Sequence, residues 1–122
     1  MRQARAWFFS DFHPKSGLEI LALLQSGEKP SAFYRMVSSH WDVAASLVNN
    51  GGIDEKMFLE SNTEHLVVFA KLQPFISEIR ETIDEPDYLA QLERLVMRAD
   101  NVEKKLENRR RLIERWAQEK TP

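Results

Sequence analysis

The stretch from residue 87 to residue 119 contains neither glycine nor proline, and this most restricts how the chain can fold. It is rich in Leu, Glu, Arg, Lys and Ala, which are strong helix formers. We therefore predict one long helix over residues 86–119, roughly 50 Å in length at a rise of ~1.5 Å per residue. A compact domain of this size does not cover such a helix along its whole length. We expect its first half to pack into the core and its second half to project or to lie along a partner.

Apolar residues recur at helical spacing in the rest of the chain as well. One helix is predicted from Pro30 to Asn50, with an apolar stripe of Phe33, Val37, Trp41, Ala44 and Val48. No segment alternates convincingly as a strand would. The sequence therefore predicts an all-α fold, a single helical domain over residues 1–122. We expect a bundle of five or six helices with a long C-terminal helix and a short aromatic segment, residues 1–12, packed on it.

The run His40-Trp41-Asp42 resembles a catalytic group but is better explained by helix geometry. Adjacent residues of a helix do not face each other, so the three side chains cannot converge. Trp41 lies in the centre of the apolar stripe, His40 at its margin and Asp42 on the opposite side. We interpret Trp41 as a core residue and His40 as a boundary histidine hydrogen-bonded to a neighbour.

A corner is predicted after this helix. Gly51 or Gly52 can take the left-handed conformation that ends a helix, and Asp54 can cap the next one. A phosphate-binding loop is the sharper alternative, but the segment lacks the Gly-x-x-x-x-Gly-Lys-Ser/Thr pattern. A DNA-reading helix-turn-helix has the same outline, yet its second helix would carry three acidic residues against the single Lys56. The corner interpretation is favoured over both.

The next helix is predicted to begin near Ser61, with Ser61 and Glu64 as a capping box. Its apolar stripe starts at His65 and stays in phase across Pro74, which favours a kink over a loop. A positive charge is disfavoured at a helix N-terminus. We therefore interpret His65 as a neutral, packed histidine and not as a metal ligand.

The composition excludes several classes of function. The chain has no cysteine, so a disulfide framework, a thiolate metal site and a cysteine nucleophile are excluded. Its three histidines form no i, i+4 pair, and no Gly-x-Ser-x-Gly frame is present. We predict no enzymatic activity, no metal and no cofactor. The absence of a signal-type or membrane-spanning apolar run predicts a cytoplasmic protein without membrane contact.

The segment from residue 98 to residue 120 carries eight Lys/Arg and five Asp/Glu, a net charge of +3 (8 − 5), whereas the whole chain carries −2. The simplest interpretation is a solvated helix face with salt bridges. The alternative is a regulator that contacts nucleic acid with the basic end of the helix. The candidate contacts are Arg109, Arg110, Arg111 and Arg115. The acidic overall charge makes this alternative the weaker one.

Apolar residues in the same segment point to self-association. A helix that exposed them to water would present an apolar strip that monomeric proteins usually avoid. We therefore predict a homodimer, the commonest symmetric assembly, with an unidentified protein as a further potential partner. The predicted interface consists of Leu106, Arg109, Leu112, Ile113 and Trp116. Arg109 would pair there with Glu103, Glu107 or Glu114.

Residues 33–58, FYRMVSSHWDVAASLVNNGGIDEKMF, followed by LVVFAKLQPFISEIR, resemble a helical module found in bacterial proteins of unknown function. The resemblance covers residues 33–80 and implies an all-helical fold and a bacterial source. It brings no catalytic residues. The function that the sequence favours is a non-enzymatic interaction or assembly module. Nucleic-acid binding is the first alternative, and an enzyme comes third.

Overall fold

Helices form nearly all of the chain in the computed structural model, which describes the backbone of residues 1–120 and the side chains of residues 1–117. The seven helices of this part are α1 (Arg2–Ser10), α2 (Gly17–Ser26), α3 (Lys29–Asn49), α4 (Glu55–Ser61), α5 (Glu64–Ile83), α6 (Ala90–Met97) and α7 (Val102–Lys120). Residues 1–120 contain no strand, so the predicted all-α class is confirmed. The predicted number of five or six helices is wrong. The aromatic N-terminal segment is itself a helix, and the C-terminal segment forms two.

The long C-terminal helix is interrupted between α6 and α7. Asn101 has a φ of 55°, in the left-handed region that asparagine tolerates better than most residues. This turn sends α7 back along α5, and α7 also contacts α1. As a result Leu106 and Ile113 are buried within the bundle. The expected single helix of residues 86–119 with a projecting second half is therefore wrong, because the turn gives α7 a core face to cover.

Most of the predicted helix ends are confirmed. The Ser16 Oγ accepts a hydrogen bond from the Glu19 amide at 3.2 Å, and Gly27, with a φ of 69°, ends α2. Gly51 takes the left-handed conformation of the corner, with a φ of 82°. Asp54 caps α4 by accepting from the Met57 amide at 2.9 Å. These features depend on a few neighbouring residues, which is why the sequence predicts them.

The predicted start of α5 is wrong, whereas its passage through Pro74 is confirmed. Ser61 is the last residue of α4 and does not cap α5. Thr63 is the N-cap of α5, and its side chain makes no capping hydrogen bond. Pro74 lies inside one helix that continues to Ile83.

The core is built around α3 and α5. Helix α3 packs against α1, α2 and α6, whereas α5 packs against α2, α6 and α7. Trp41 is 6% exposed, in agreement with the prediction that it belongs to the core. Asp42 is not on a free solvent face, because its Oδ1 accepts from the Leu92 amide of α6 at 2.9 Å. The bundle that results leaves a gap where α4, α5, α6 and α7 meet.

Candidate functional site

A cavity of about 310 Å³ occupies this gap. It is bounded by α4, the first turn of α5, the C-terminal end of α6 with the following turn, and the first turns of α7. One wall is apolar and consists of Leu59, Leu66, Leu95, Val96 and Ala99. The rest of the lining is polar and includes three basic residues, Arg98, Lys105 and Arg109. A lining of this mixed kind is typical of a small-molecule site.

His65 lies on this cavity with an unusual set of neighbours. Its ring is packed against those of Phe58 and Trp41, with centroid distances of 5.1 Å and 6.0 Å. The residue is only 1% exposed, yet neither ring nitrogen has a hydrogen-bond partner among the described residues. An unpaired buried polar group costs ~1–3 kcal/mol. An aliphatic side chain would fill the same space without that cost, so packing alone does not account for a histidine here.

The imidazole of His65 is neutral at pH 7. Burial lowers its pKa from 6.5 to about 4, and the positive charge of Arg109 adds to this effect. The predicted neutral, packed histidine is therefore confirmed. A neutral imidazole offers one N–H donor and one acceptor nitrogen. His65 lines the cavity, and neither of its ring nitrogens is bonded to a described residue.

Two basic residues of α7 line the cavity without a counter-charge. Lys105 and Arg109 are four residues apart, so they lie on the same face of the helix. Neither side chain makes a hydrogen bond or an ion pair with the side chains of residues 1–117 or the backbone of residues 1–120. The third cation, Arg98, is paired, with its Nε 3.2 Å from the Glu55 Oε1. Arg98 lowers the pKa of Glu55 by this contact, so the carboxylate stays charged.

The first turn of α5 adds to the positive potential. Thr63, His65 and Leu66 all line the cavity at the helix N-terminus, where the helix dipole places a partial positive charge. The charged side chains of the lining are Arg98, Lys105 and Arg109 against Glu55, a net charge of +2 (3 − 1). This arrangement is suited to an anionic group held beside an apolar body. Among the described residues no group of three or more His, Cys, Asp or Glu side chains could hold a metal ion.

In two other cavities the buried polar groups already have partners. A cavity of about 470 Å³ lies between α3 and the turn before α6, but there the Tyr34 and Tyr88 hydroxyls bond each other at 2.6 Å. A cavity of about 190 Å³ is lined by Lys71, whose Nζ donates to the Phe8 carbonyl of α1. In both, the buried polar group has a role in holding helices together. The His65 cavity is therefore the candidate site.

The residues of the predicted dimer interface are separated by the fold. Leu106 and Ile113 are buried inside the protomer and Leu112 is half-buried, whereas Trp116 is 43% exposed. Arg109 lines the cavity and pairs with none of the three predicted carboxylates. Leu106 and Ile113 therefore need no second copy of the chain to bury them. Self-association itself stays a prediction.

The four arginines predicted as nucleic-acid contacts do not form one surface. Arg109 faces the cavity, and Arg110 donates to the Ala70 carbonyl at 3.0 Å and to the Gln73 side chain. Arg111 lies 3.9 Å from the Glu107 carboxylate, and Arg115 is exposed. Nucleic-acid binding stays a prediction that this arrangement does not favour.

Sequence reasoning found His65 and Arg109 separately but not the cavity that joins them. The only signal was the i, i+4 pair of Lys105 and Arg109 on a helix that was expected to project. His40, the other histidine considered, is exposed and makes an edge contact with Trp41 at 4.8 Å. The sequence predicts a hydrogen bond between His40 and a neighbour, but His40 forms none with a described residue.

No helix of the described residues is both long enough and apolar enough to cross a membrane. In comparison with protein families, the chain matches, over residues 1–99, the model of a family described as "Domain of unknown function (DUF4760)". The resemblance to a helical family of unknown function is thereby confirmed. Helix α7, with Lys105 and Arg109, follows the matched region. No curated protein and no solved structure matches the chain.

Proposed function

Since the chain belongs to the DUF4760 family, whose description names no activity, we propose a function from the geometry alone. The protein is a non-enzymatic binding domain that holds a small organic anion in the cavity between α4, α5, α6 and α7. The observation that carries this proposal is the buried His65, whose ring nitrogens have no partner among the described residues, beside Lys105 and Arg109, which form no ion pair with those residues. A buried imidazole without a partner among the described residues costs free energy unless a ligand supplies one, whereas the exposed Lys105 and the half-buried Arg109 stay hydrated in the empty cavity.

The lining indicates the class of ligand. Lys105, Arg109 and the N-terminus of α5 favour a carboxylate, sulfonate or phosphate group. The apolar wall of Leu59, Leu66 and Leu95 favours a hydrocarbon or aromatic body attached to that group. The volume of about 310 Å³ lies at the lower end of the range for ligand pockets, ~300–1,000 Å³, so the ligand is small. A simple aromatic acid combines these properties.

Thermal unfolding with a panel of probes tests the proposal. Benzoate, benzenesulfonate and phenyl phosphate carry both features, benzyl alcohol has only the apolar body, and acetate and inorganic phosphate have only the charge. We expect the first three to raise the Tm by about 5 °C at ten times their Kd, and the others to have little effect at equal ionic strength. Equal shifts with acetate or phosphate, or none with the aromatic anions, would contradict the proposal.

Two variants of α7 provide a matched pair for this experiment. Arg109→Gln removes a cation from the cavity, whereas Arg111→Gln removes one from the exposed side of the same helix. We expect Arg109→Gln to weaken benzoate binding about tenfold or more, since a charge-assisted hydrogen bond contributes ~1.5–3 kcal/mol. Arg111→Gln should bind as the wild type does. An equal loss in both variants would indicate a non-specific effect of charge.

Self-association is the second candidate function, in which a second copy of the chain is the partner. Trp116 is 43% exposed and follows the half-buried Leu112 by one helical turn, so the two form an apolar edge on α7. The test is sedimentation of the wild type beside Trp116→Glu, with Arg115→Glu as the control on the same turn. A concentration-dependent dimer that only Trp116→Glu dissociates supports this function. A wild type that remains monomeric at tens of micromolar rules it out.

A further inference from the structure

The anion-binding cavity is lined by a titratable group, His65, that no hydrogen bond to the described residues holds in one protonation state. His65 makes no hydrogen bond to the described residues through either ring nitrogen and is 1% exposed. A neutral imidazole can donate to an anion through only one nitrogen, whereas an imidazolium donates through both and adds a positive charge. We propose that the cavity takes up a proton together with its anion and that His65 receives this proton. This inference rests on the proposed function.

The charges around His65 oppose its protonation in the free protein. Arg109 of α7 acts on it directly, Lys105 of the same helix lines the same cavity, and Arg98 follows α6. On the acidic side, Glu55 of α4 is already paired with Arg98. A third uncompensated positive charge is therefore unfavourable in the empty cavity.

The remaining groups near the ring do not compensate for these cations. Within α5 the carboxylate of Glu64 accepts from Arg5 of α1, with an N–O distance of 2.6 Å, and from the Trp41 Nε1 of α3 at 3.1 Å. Phe58 of α4 and Trp41 carry no charge and pack against the ring. An anion from outside the protein is then the group that offsets the positive charges around the His65 ring.

A bound anion favours protonation of His65. It neutralises the field of Lys105 and Arg109 and accepts a hydrogen bond from the His65 ring, and both effects raise the pKa of His65 above its free value of about 4. At a pH between the free and the bound pKa, binding is accompanied by proton uptake. By linkage the anion then binds more tightly as the pH falls, by up to about tenfold per pH unit.

Isothermal titration calorimetry with benzenesulfonate tests this inference, because the sulfonate stays ionised throughout the range used. Titrations at pH 5.5 and pH 7.5, each in two buffers of different ionisation enthalpy, give the number of protons bound per anion. We expect an uptake approaching one proton at pH 5.5, a smaller value at pH 7.5, and a lower Kd at pH 5.5. His65→Gln should bind the anion more weakly and without pH-dependent proton uptake, whereas Arg111→Gln should match the wild type.

The outcomes separate this inference from the proposed function. Anion binding without proton uptake by the wild type overturns the inference and leaves the binding function intact. Uptake that persists in His65→Gln also overturns it, because another group then receives the proton. If neither benzenesulfonate nor benzoate binds at any pH, the proposed function fails as well.

Nitrogen-15 NMR of the wild-type imidazoles gives a second reading that requires no variant. The inference predicts that saturating benzenesulfonate moves the titration of the His65 ring to higher pH, with both ring nitrogens protonated at pH 5.5. The exposed His40 serves as the reference within the same spectrum. A His65 titration that is unchanged by saturating anion contradicts the inference.

Discussion

Replacement of His65 by leucine should make the protein more stable, and increasingly so as the pH falls. The imidazole is 1% exposed, has no hydrogen-bond partner among the described residues, and has a pKa of about 4, against 6.5 for an ordinary histidine. In the unfolded chain it binds a proton near pH 6.5, whereas in the folded protein it does so only near pH 4. Between these values the unfolded state therefore holds more protons, and lowering the pH destabilises the fold. Above pH 6.5 this loss is absent, and below pH 4 it is complete.

The size of the effect follows from the two pKa values. A difference of one pKa unit corresponds to ~1.36 kcal/mol, so complete titration changes the free energy of unfolding by about 3 kcal/mol. Between pH 7 and pH 4.5 we expect the stability advantage of His65→Leu over the wild type to grow by about 2.5 kcal/mol. The stability difference between His65→Leu and the wild type also has a part that does not change with pH. This part is the gain from removing an unpaired buried polar group minus the loss of the aromatic contacts. The slope with pH does not depend on that part.

Urea denaturation followed by circular dichroism at several pH values between 4.5 and 7.5 measures this slope. The difference between wild type and His65→Leu at each pH cancels the titration of all other groups. His40→Leu, which removes an exposed histidine from α3, gives the background for removing a histidine. A difference that stays constant within ~0.5 kcal/mol from pH 7 to pH 4.5 would refute the reasoning, since His65 would then titrate alike in both states.

The remaining predictions concern the fold. Burial lowers the pKa of Lys71 from 10.5 to about 7, so the unfolded chain holds more protons than the folded protein between these pH values. The free energy of unfolding should therefore rise by about 2.5 kcal/mol from pH 7.5 to pH 9.5. Urea denaturation should show this rise for the wild type and not for Lys71→Met. Gly51→Val should lower stability by about 1 kcal/mol or more because of its φ of 82°, and an unchanged Tm would contradict the corner. Asn101→Gly should leave stability equal or higher by about 0.5–1 kcal/mol, whereas Asn101→Val should lower it, and a reversed order in calorimetry would contradict the left-handed turn.

Local sequence signals predicted much of this fold. The caps at Ser16 and Asp54, the left-handed Gly51 and the passage of α5 through Pro74 each depend on a few neighbouring residues. The break before α7 could not be predicted in the same way. Asn101 lies between two segments of strong helix formers, and its left-handed conformation is stabilised by the packing of α7 on α5. That packing is a tertiary effect, and it also removed Leu106 and Ile113 from the predicted interface.

The candidate site is likewise a product of tertiary structure. His65 begins α5, Arg98 follows α6, and Lys105 and Arg109 lie on α7, so the three segments meet only once the chain turns at residues 98–101. The sequence predicted correctly that His65 is buried and neutral. It gave no sign that both ring nitrogens would lack a partner among the described residues, because hydrogen-bond satisfaction depends on neighbours that are distant in the sequence.

A crystal structure with 4-bromobenzoate tests the central claim most directly, because the anomalous signal of bromine marks the position of the ligand. The account predicts one strong peak in the cavity between α4, α5, α6 and α7, with bromine beside Leu66 and Leu95. The carboxylate should lie within hydrogen-bond distance of Lys105, Arg109 or the His65 ring. An empty cavity at a ligand concentration that is saturating in solution, or a bromine site elsewhere on the surface, would contradict it.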